Sequence, residues 1–264
     1  MTENTETIIK VARHAASGSA DIIMGLFNRA EINDKGMNNL VTEADLKSEA
    51  AIRKIILENF PSHSILGEEG GGEDDFNADN LWIIDPLDGT NNYAQGFPFF
   101  SISIAYAERG ELKAGIVFDP IRNESFYAEK GKGSFLNGKP LKVSKRGLNS
   151  ALVITGFNYD RGEIMRSTLK TIERLFENNI RGIRRTGSAA LDFCYVAAGR
   201  ADAYFEYLLY SWDFAAGMLI LSEAGGECRD TSGAPLTLSS STVAVSNGAF
   251  TEELIELVRY TPKE

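Results

Sequence analysis

Leu81-Trp82-Ile83-Ile84-Asp85-Pro86-Leu87-Asp88-Gly89-Thr90-Asn91-Asn92-Tyr93 is the stretch on which the reading of this chain turns. Four consecutive large apolar residues read as a buried strand, and they run straight into two acids three positions apart. Pro86 has no N–H to give a sheet ladder, so the strand is expected to end near Asp85, while Gly89 permits a tight turn. Thr90 or a neighbour then opens a helix whose first N–H groups are unpaired and attract anions. Carboxylates at a strand end beside such a terminus suit phosphate chemistry on Mg²⁺: hard oxygen ligands for the ion, donors for the phosphate. Taken alone, an acidic turn with Asp-Gly accounts for the same residues.

Three further acidic elements flank this one, each with a plain structural explanation. Gly67-Glu68-Glu69-Gly70 reads as a solvated loop. Asp213, before the small-residue run Phe214-Ala215-Ala216-Gly217, reads as a helix N-cap. Thr42-Glu43-Ala44-Asp45 reads as an N-cap threonine with an acid at N3, a capping-box variant.

The surrounding composition limits what these acids can serve. The chain has 264 residues and a net charge of −10, which disfavours direct attraction to nucleic acid or an anionic membrane. An anionic substrate would need imported positive charge, and with two histidines and outnumbered basic residues that points to metal ions. No apolar run approaches the ~20 residues of a membrane span, and the acidic, interrupted N-terminus is unlike a secretory signal; a cytoplasmic location is expected. Cys194 and Cys228 show neither disulfide nor zinc-knuckle spacing.

Apolar periodicity predicts a helix over 7–27 and another over 45–60, closed by Pro61. Short β-rich runs at 101–107, 114–118, 124–129 and 141–143, separated by turn pairs such as Asn137-Gly138, predict antiparallel hairpins. Beyond about residue 150 strands (152–155, 203–207, 242–246) alternate with helices (163–177, 188–198, 213–224, 251–259). Two halves are therefore expected: an α+β metal-binding half at 1–149 with an antiparallel sheet, and an α/β half at 150–264 carrying Glu206 and Asp213. No linker separates them, so a shared packed interface is expected. His14, His63, Cys194 and the Lys130, Lys132 and Lys139 hairpin are assigned no chemistry.

In order along the chain, Leu40-Val41-Thr42-Glu43-Ala44-Asp45, Gly67-Glu68-Glu69, Trp82 to Thr90, Trp212-Asp213-Phe214-Ala215-Ala216-Gly217 and Glu223-Ala224-Gly225-Gly226 together resemble the inositol monophosphatase family of Mg²⁺-dependent, lithium-sensitive phosphatases. The resemblance runs from about residue 35 to 235. It implies a layered αβαβα sandwich of the inositol monophosphatase/fructose-1,6-bisphosphatase type, in the α+β and α/β classes, and a homodimer. It also implies hydrolysis of inositol monophosphate, or a similar small polyol or sugar phosphate, by direct attack of a metal-activated water.

Carried over by position, the resemblance implies two or three Mg²⁺ ions on Glu68, Asp85, Asp88, Asp213 and the Leu87 carbonyl. Thr90 and Asp45 match the residues that hold and deprotonate the water, with Glu68 also catalytic. Asp88, Gly89, Thr90, Gly187, Ser188, Ala189, Glu206 and Asp213 match the substrate-side positions, and Lys35 falls near the family's early lysine loop. Within the same fold, fructose 1,6-bisphosphate, histidinol phosphate or 3′-phosphoadenosine 5′-phosphate are alternative substrates, chosen by loops around Phe157-Asn158 and Tyr207 to Tyr210. A dehalogenase-type phosphatase fits less well, because Pro86 separates acids three apart where that family has DxDGT. A different class of reading is a regulatory protein partner of the transcription machinery.

Overall fold

A computed structural model describes residues 4–29, 32–34, 40–71, 75–158 and 161–260; Lys35 lies outside them. The elements in order are α1 (Thr5–Leu26), β1 (Ile32–Asp34), β2 (Leu40–Thr42), α2 (Glu43–Asn59), β3 (Ser64–Gly67), β4 (Leu81–Asp88), α3 (Thr90–Ala94), β5 (Ser101–Glu108), β6 (Glu111–Asp119), β7 (Glu124–Glu129), β8 (Gly133–Leu136) and β9 (Lys139–Pro140). They continue with β10 (Leu152–Thr155), α4 (Glu163–Glu177), β11 (Gly182–Arg184), α5 (Ala189–Ala197), β12 (Ala203–Glu206), α6 (Ser211–Glu223), β13 (Glu227–Arg229), β14 (Val243–Ser246) and α7 (Thr251–Val258).

Strands β3 to β9 form one sheet in chain order, parallel at β3–β4 and antiparallel thereafter. The second sheet runs β11-β10-β12-β14-β13, parallel across its first three strands.

Three apolar cores make this a five-layer αβαβα stack. Ile8, Ile52 and Ile56 of α1 and α2 pack on Trp82 and Ile84. Ile83 and Val117, from the opposite face of the same sheet, meet Phe193 and Phe214 of α5 and α6, which in turn cover Tyr204 and Val245 of the second sheet. Leu175, Leu254 and Val258 of α4 and α7 close the far side over Val153 and Phe205. Because side chains alternate along a strand and both faces of β4 are covered, its apolar run is continuous. The small residues of α6 have the same kind of cause: a Cβ on Gly217 would sit 2.6 Å from Phe193 Cβ.

Four expectations are corrected. β4 does not stop at Asp85 but runs to Asp88, because a register shift between Asp85 and Asp88 takes Pro86 out of the ladder. Residues 141–143 are not a strand; the hairpin is made by β8 and β9, and past Pro140 the chain leaves the edge, Val143 N bonding to Ala224 O. The second helix begins at Glu43 after the Thr42 N-cap. Asp213 is not an N-cap, since α6 starts at Ser211 and Asp213 occupies its N3 position.

Candidate active site

The junction of β4 and α3 builds one side of the site. Gly89 is the N-cap of α3 in the left-handed region at φ 97°, and a Cβ there would meet the backbone of Gly187 and Phe99 at 3.0 and 3.1 Å. Only glycine fits both demands. Thr90, the first helical residue, places its Oγ1 3.0 Å from Asp45 Oδ1 and 3.0 Å from the Leu87 carbonyl. Asp45 is fixed by its own capping box: its Oδ2 accepts from Thr42 N at 2.8 Å and Thr42 Oγ1 at 2.5 Å.

The two halves of the chain meet at Asp88. Its carboxylate accepts Ser188 Oγ at 2.5 Å, Ala190 N at 2.9 Å and Ala189 N at 3.1 Å, so the N-terminus of α5, with its unpaired amides and positive dipole end, holds this acid. Asp85 Oδ1 accepts Leu87 N at 2.9 Å, and Asp213 Oδ2 accepts Tyr210 N at 2.7 Å. Each carboxylate is thus oriented through backbone amides.

These acids act on one another. Burial, followed by the charges of Glu68, Asp88 and Asp213, holds Asp85 well above the usual carboxylate range. Burial and then Glu68 do the same to Asp213, and burial raises Asp88 to about 6 against its hydrogen bonds to α5. Burial also lifts Asp45, with the Thr42 and Thr90 bonds opposing.

An open cavity of about 630 Å³ is lined by Glu68, Asp88, Gly89, Gly187, Ser188, Ala189, Glu206 and Asp213 among others. Asp85, Leu87, Thr90 and Asp45 do not line it; they are tied to one another by the bonds above, and Leu87 and Thr90 adjoin the lining residues Asp88 and Gly89 along the chain. The Ser188 hydroxyl is turned onto Asp88 rather than free for a ligand. Glu206 accepts Tyr204 Oη at 2.6 Å, and burial raises it to about 7. Phe157, Asn158, Leu208, Leu209 and Tyr210 complete the rim.

Several residues of the site carry no motif of their own. Asp192, buried on α5 and lining the cavity, accepts the Thr186 hydroxyl and is raised well above its usual range by burial; its only signal is an acid inside the apolar run Ala189 to Cys194. Arg185 lines the cavity and opposes the shifts of Asp192 and Glu206. Asn92 Nδ2 ties α3 to Phe99 O at 2.7 Å and Thr186 O at 2.9 Å. The motif-less histidines are structural or exposed: His63 is buried and accepts Trp82 Nε1 at 3.0 Å, and His14 faces solvent.

Four mutually repelling carboxylates in one low-dielectric place store a demand for cations, and an all-oxygen donor set suits a hard divalent ion. Among the described residues no three His, Cys, Asp or Glu side chains stand as a ready-made ion cage.

The five-layer αβαβα sandwich thus carries an open acidic cleft, built from the end of β4 and the segments around α5, β12 and α6. Residues 4–262 match the model of the inositol monophosphatase family. The chain is 40% identical over 256 residues to the Nus factor SuhB of Haemophilus influenzae, covering 96% of each, and 39% identical over 259 residues to the chloroplastic phosphatase IMPL1 of Arabidopsis thaliana, covering 95% of this chain and 70% of that one. The solved structure of inositol monophosphatase from Anabaena (Nostoc) superposes with a TM-score of 0.88 at 36% identity, over 98% of both chains. The chain belongs to the inositol monophosphatase family and is one of its phosphatases. No described helix is long and apolar enough to cross a membrane.

Proposed function

We propose that this phosphatase is a Mg²⁺-dependent phosphomonoesterase acting on inositol monophosphate or a similar small polyol or sugar phosphate, with water attacking phosphorus directly. The observation that carries the reading is the Thr90–Asp45 hydrogen bond at the start of α3, directly after the end of β4 whose Asp85 interacts with Glu68, Asp88 and Asp213. Glu68, Asp85, Asp88, Asp213 and the Leu87 carbonyl would hold two or three Mg²⁺. The metal supplies positive charge to the phosphate oxygens and acidifies water. Thr90 donates its one hydroxyl hydrogen to Asp45 Oδ1, leaving its oxygen lone pairs to orient the attacking water; as Thr90 Oγ1 takes a proton from that water, its own proton passes to the Asp45 carboxylate. Asp45, made more basic by burial, suits the role of final acceptor. Glu206 faces the cavity to engage the substrate's hydroxyls, and the Phe157-Asn158 and Leu208–Tyr210 rim would choose among esters. Asp85 is 1% exposed and fixed by the Leu87 amide, a poor position for the nucleophile that an aspartyl-phosphate route requires.

The test is a phosphate-release screen over inositol, sugar, histidinol and nucleotide phosphates with Mg²⁺, repeated with excess EDTA and with Li⁺. Release on a polyol or sugar ester, abolished by EDTA and inhibited by Li⁺, is expected. Full turnover in EDTA overturns the metal requirement, and net retention of configuration at a chiral phosphate overturns direct attack.

The relatives called Nus factors favour a second reading, contact with a protein of the transcription machinery. Asp213→Asn would separate the two, abolishing hydrolysis while leaving binding to that machinery intact.

A further inference from the structure

One face of α2 grips three separate parts of the site. Asp45 holds Thr90, Ser48 Oγ donates to the Pro86 carbonyl at 2.9 Å, and Glu49 reaches the loop that carries Glu68. These positions are three and four residues apart and so share a helix face. Glu49 is 3% exposed. Its Oε2 accepts Glu69 N at 2.9 Å and its Oε1 accepts Gly70 N at 2.7 Å. Arg53, one turn on, donates to Glu49 Oε1 at 2.7 Å and to Gly71 O at 2.7 Å. The loop closes so tightly on this carboxylate that a Cβ at Gly67 or Gly70 would lie 2.8 or 2.3 Å from Glu49 Oε1.

Two consecutive amides immediately after Glu68 are therefore bound to a single buried anion on the helix that also fixes Thr90. We propose that Glu49 is a positioning residue: it sets the place of Glu68 and thereby the affinity of the site for divalent metal, without touching metal or substrate. This rests on the reading of Glu68 as a metal carboxylate. A glutamine at this position has one acceptor oxygen, so one of the two amides would face an NH₂ group instead. Losing a partner of this kind weakens metal binding by about tenfold to a hundredfold.

Mg²⁺ binding is measured by calorimetry on the whole protein without substrate, for wild type, Glu49→Gln, Gly70→Ala and Glu68→Gln. Gly70→Ala pushes the loop off Glu49 while leaving that carboxylate in place, and serves if Glu49→Gln does not fold. The expected result is Mg²⁺ affinity reduced about tenfold or more in the folded Glu49→Gln or Gly70→Ala protein, with turnover recovering toward wild type at saturating Mg²⁺. A lowered melting temperature with wild-type Mg²⁺ affinity would make Glu49 structural only and overturn the inference, as would a turnover defect that saturating Mg²⁺ does not repair, or failure of both variants to fold. If Glu68→Gln itself leaves Mg²⁺ binding unchanged, the metal-site reading has failed and the inference with it; weakened binding in Glu68→Gln alone sinks only the role of Glu49.

Discussion

Raising the pH of the metal-free protein from about 4.5 to about 7.5 is expected to lower its stability, contrary to the usual behaviour of paired carboxylates. Asp88 and Glu206 titrate at about 6 and about 7 when folded, above their ordinary 3.8 and 4.5. A group whose folded value is raised contributes stability that is fully present below the ordinary value and is lost as pH climbs through the folded one. The window therefore opens near 4 and closes near 7. At about 1.4 kcal/mol per unit, Glu206 alone accounts for up to about 3 kcal/mol, an upper bound because its carboxylate is partly open to the cavity. With about 2–4 °C per kcal/mol for a chain of this size, the melting temperature should fall by up to roughly 6–12 °C from this group. The assay is a thermal melt in chelator-treated buffer across that range, with Glu206→Gln as the variant that should reduce the slope by its own share, Asp88 and the other raised carboxylates keeping the rest. Saturating Mg²⁺ should restore the loss at the upper end, since an ion that binds only the folded state stabilises it by mass action. A metal-free melting temperature that is level or rises with pH would refute the burial and mutual repulsion on which the site is argued.

Thr90→Ala is expected to cut turnover by about a hundredfold or more while changing the Michaelis constant little, with Thr90→Ser retaining activity; a raised Michaelis constant at unchanged turnover would contradict the role given to the hydroxyl. Asp213→Asn should lower turnover by at least about a hundredfold and leave the melting temperature unchanged or raised. The amide oxygen can still accept Tyr210 N–H, and one like charge is gone; unfolding with a fully active folded fraction would mean that the helix-capping contact is all it does. Gly89→Ala forces a side chain onto a left-handed backbone against two fixed carbonyls and should destabilise by about 1–3 kcal/mol, read by denaturant unfolding; a variant as stable and active as wild type would show that the turn is not tightly held.

What the linear chain carried was local. Apolar periodicity placed the helix at 163–177 and the strand at 152–155 where they are found, because one turn or one pleat is set by a residue and its near neighbours. The order of acids around Glu68, Asp85, Asp88 and Asp213 announced the family, since each sits beside a glycine, a proline or a helix start whose backbone demands are readable one segment at a time. The edge pieces β9, β11 and β13 left little trace, being short and stabilised by partners rather than by their own pattern; of the β8–β9 hairpin only the Asn137-Gly138 turn pair was readable. Position within a cap also escaped, so Asp213 looked like a cap when it is the third helical residue. Only the folded arrangement decided that Ser188 and the α5 amides hold Asp88 from a hundred residues away, that Asp192 is buried beneath the cavity, and that Glu49 grips the Glu68 loop. Those bonds depend on where whole layers come to rest, a global result of burying three cores at once, and no spacing within a single segment encodes it.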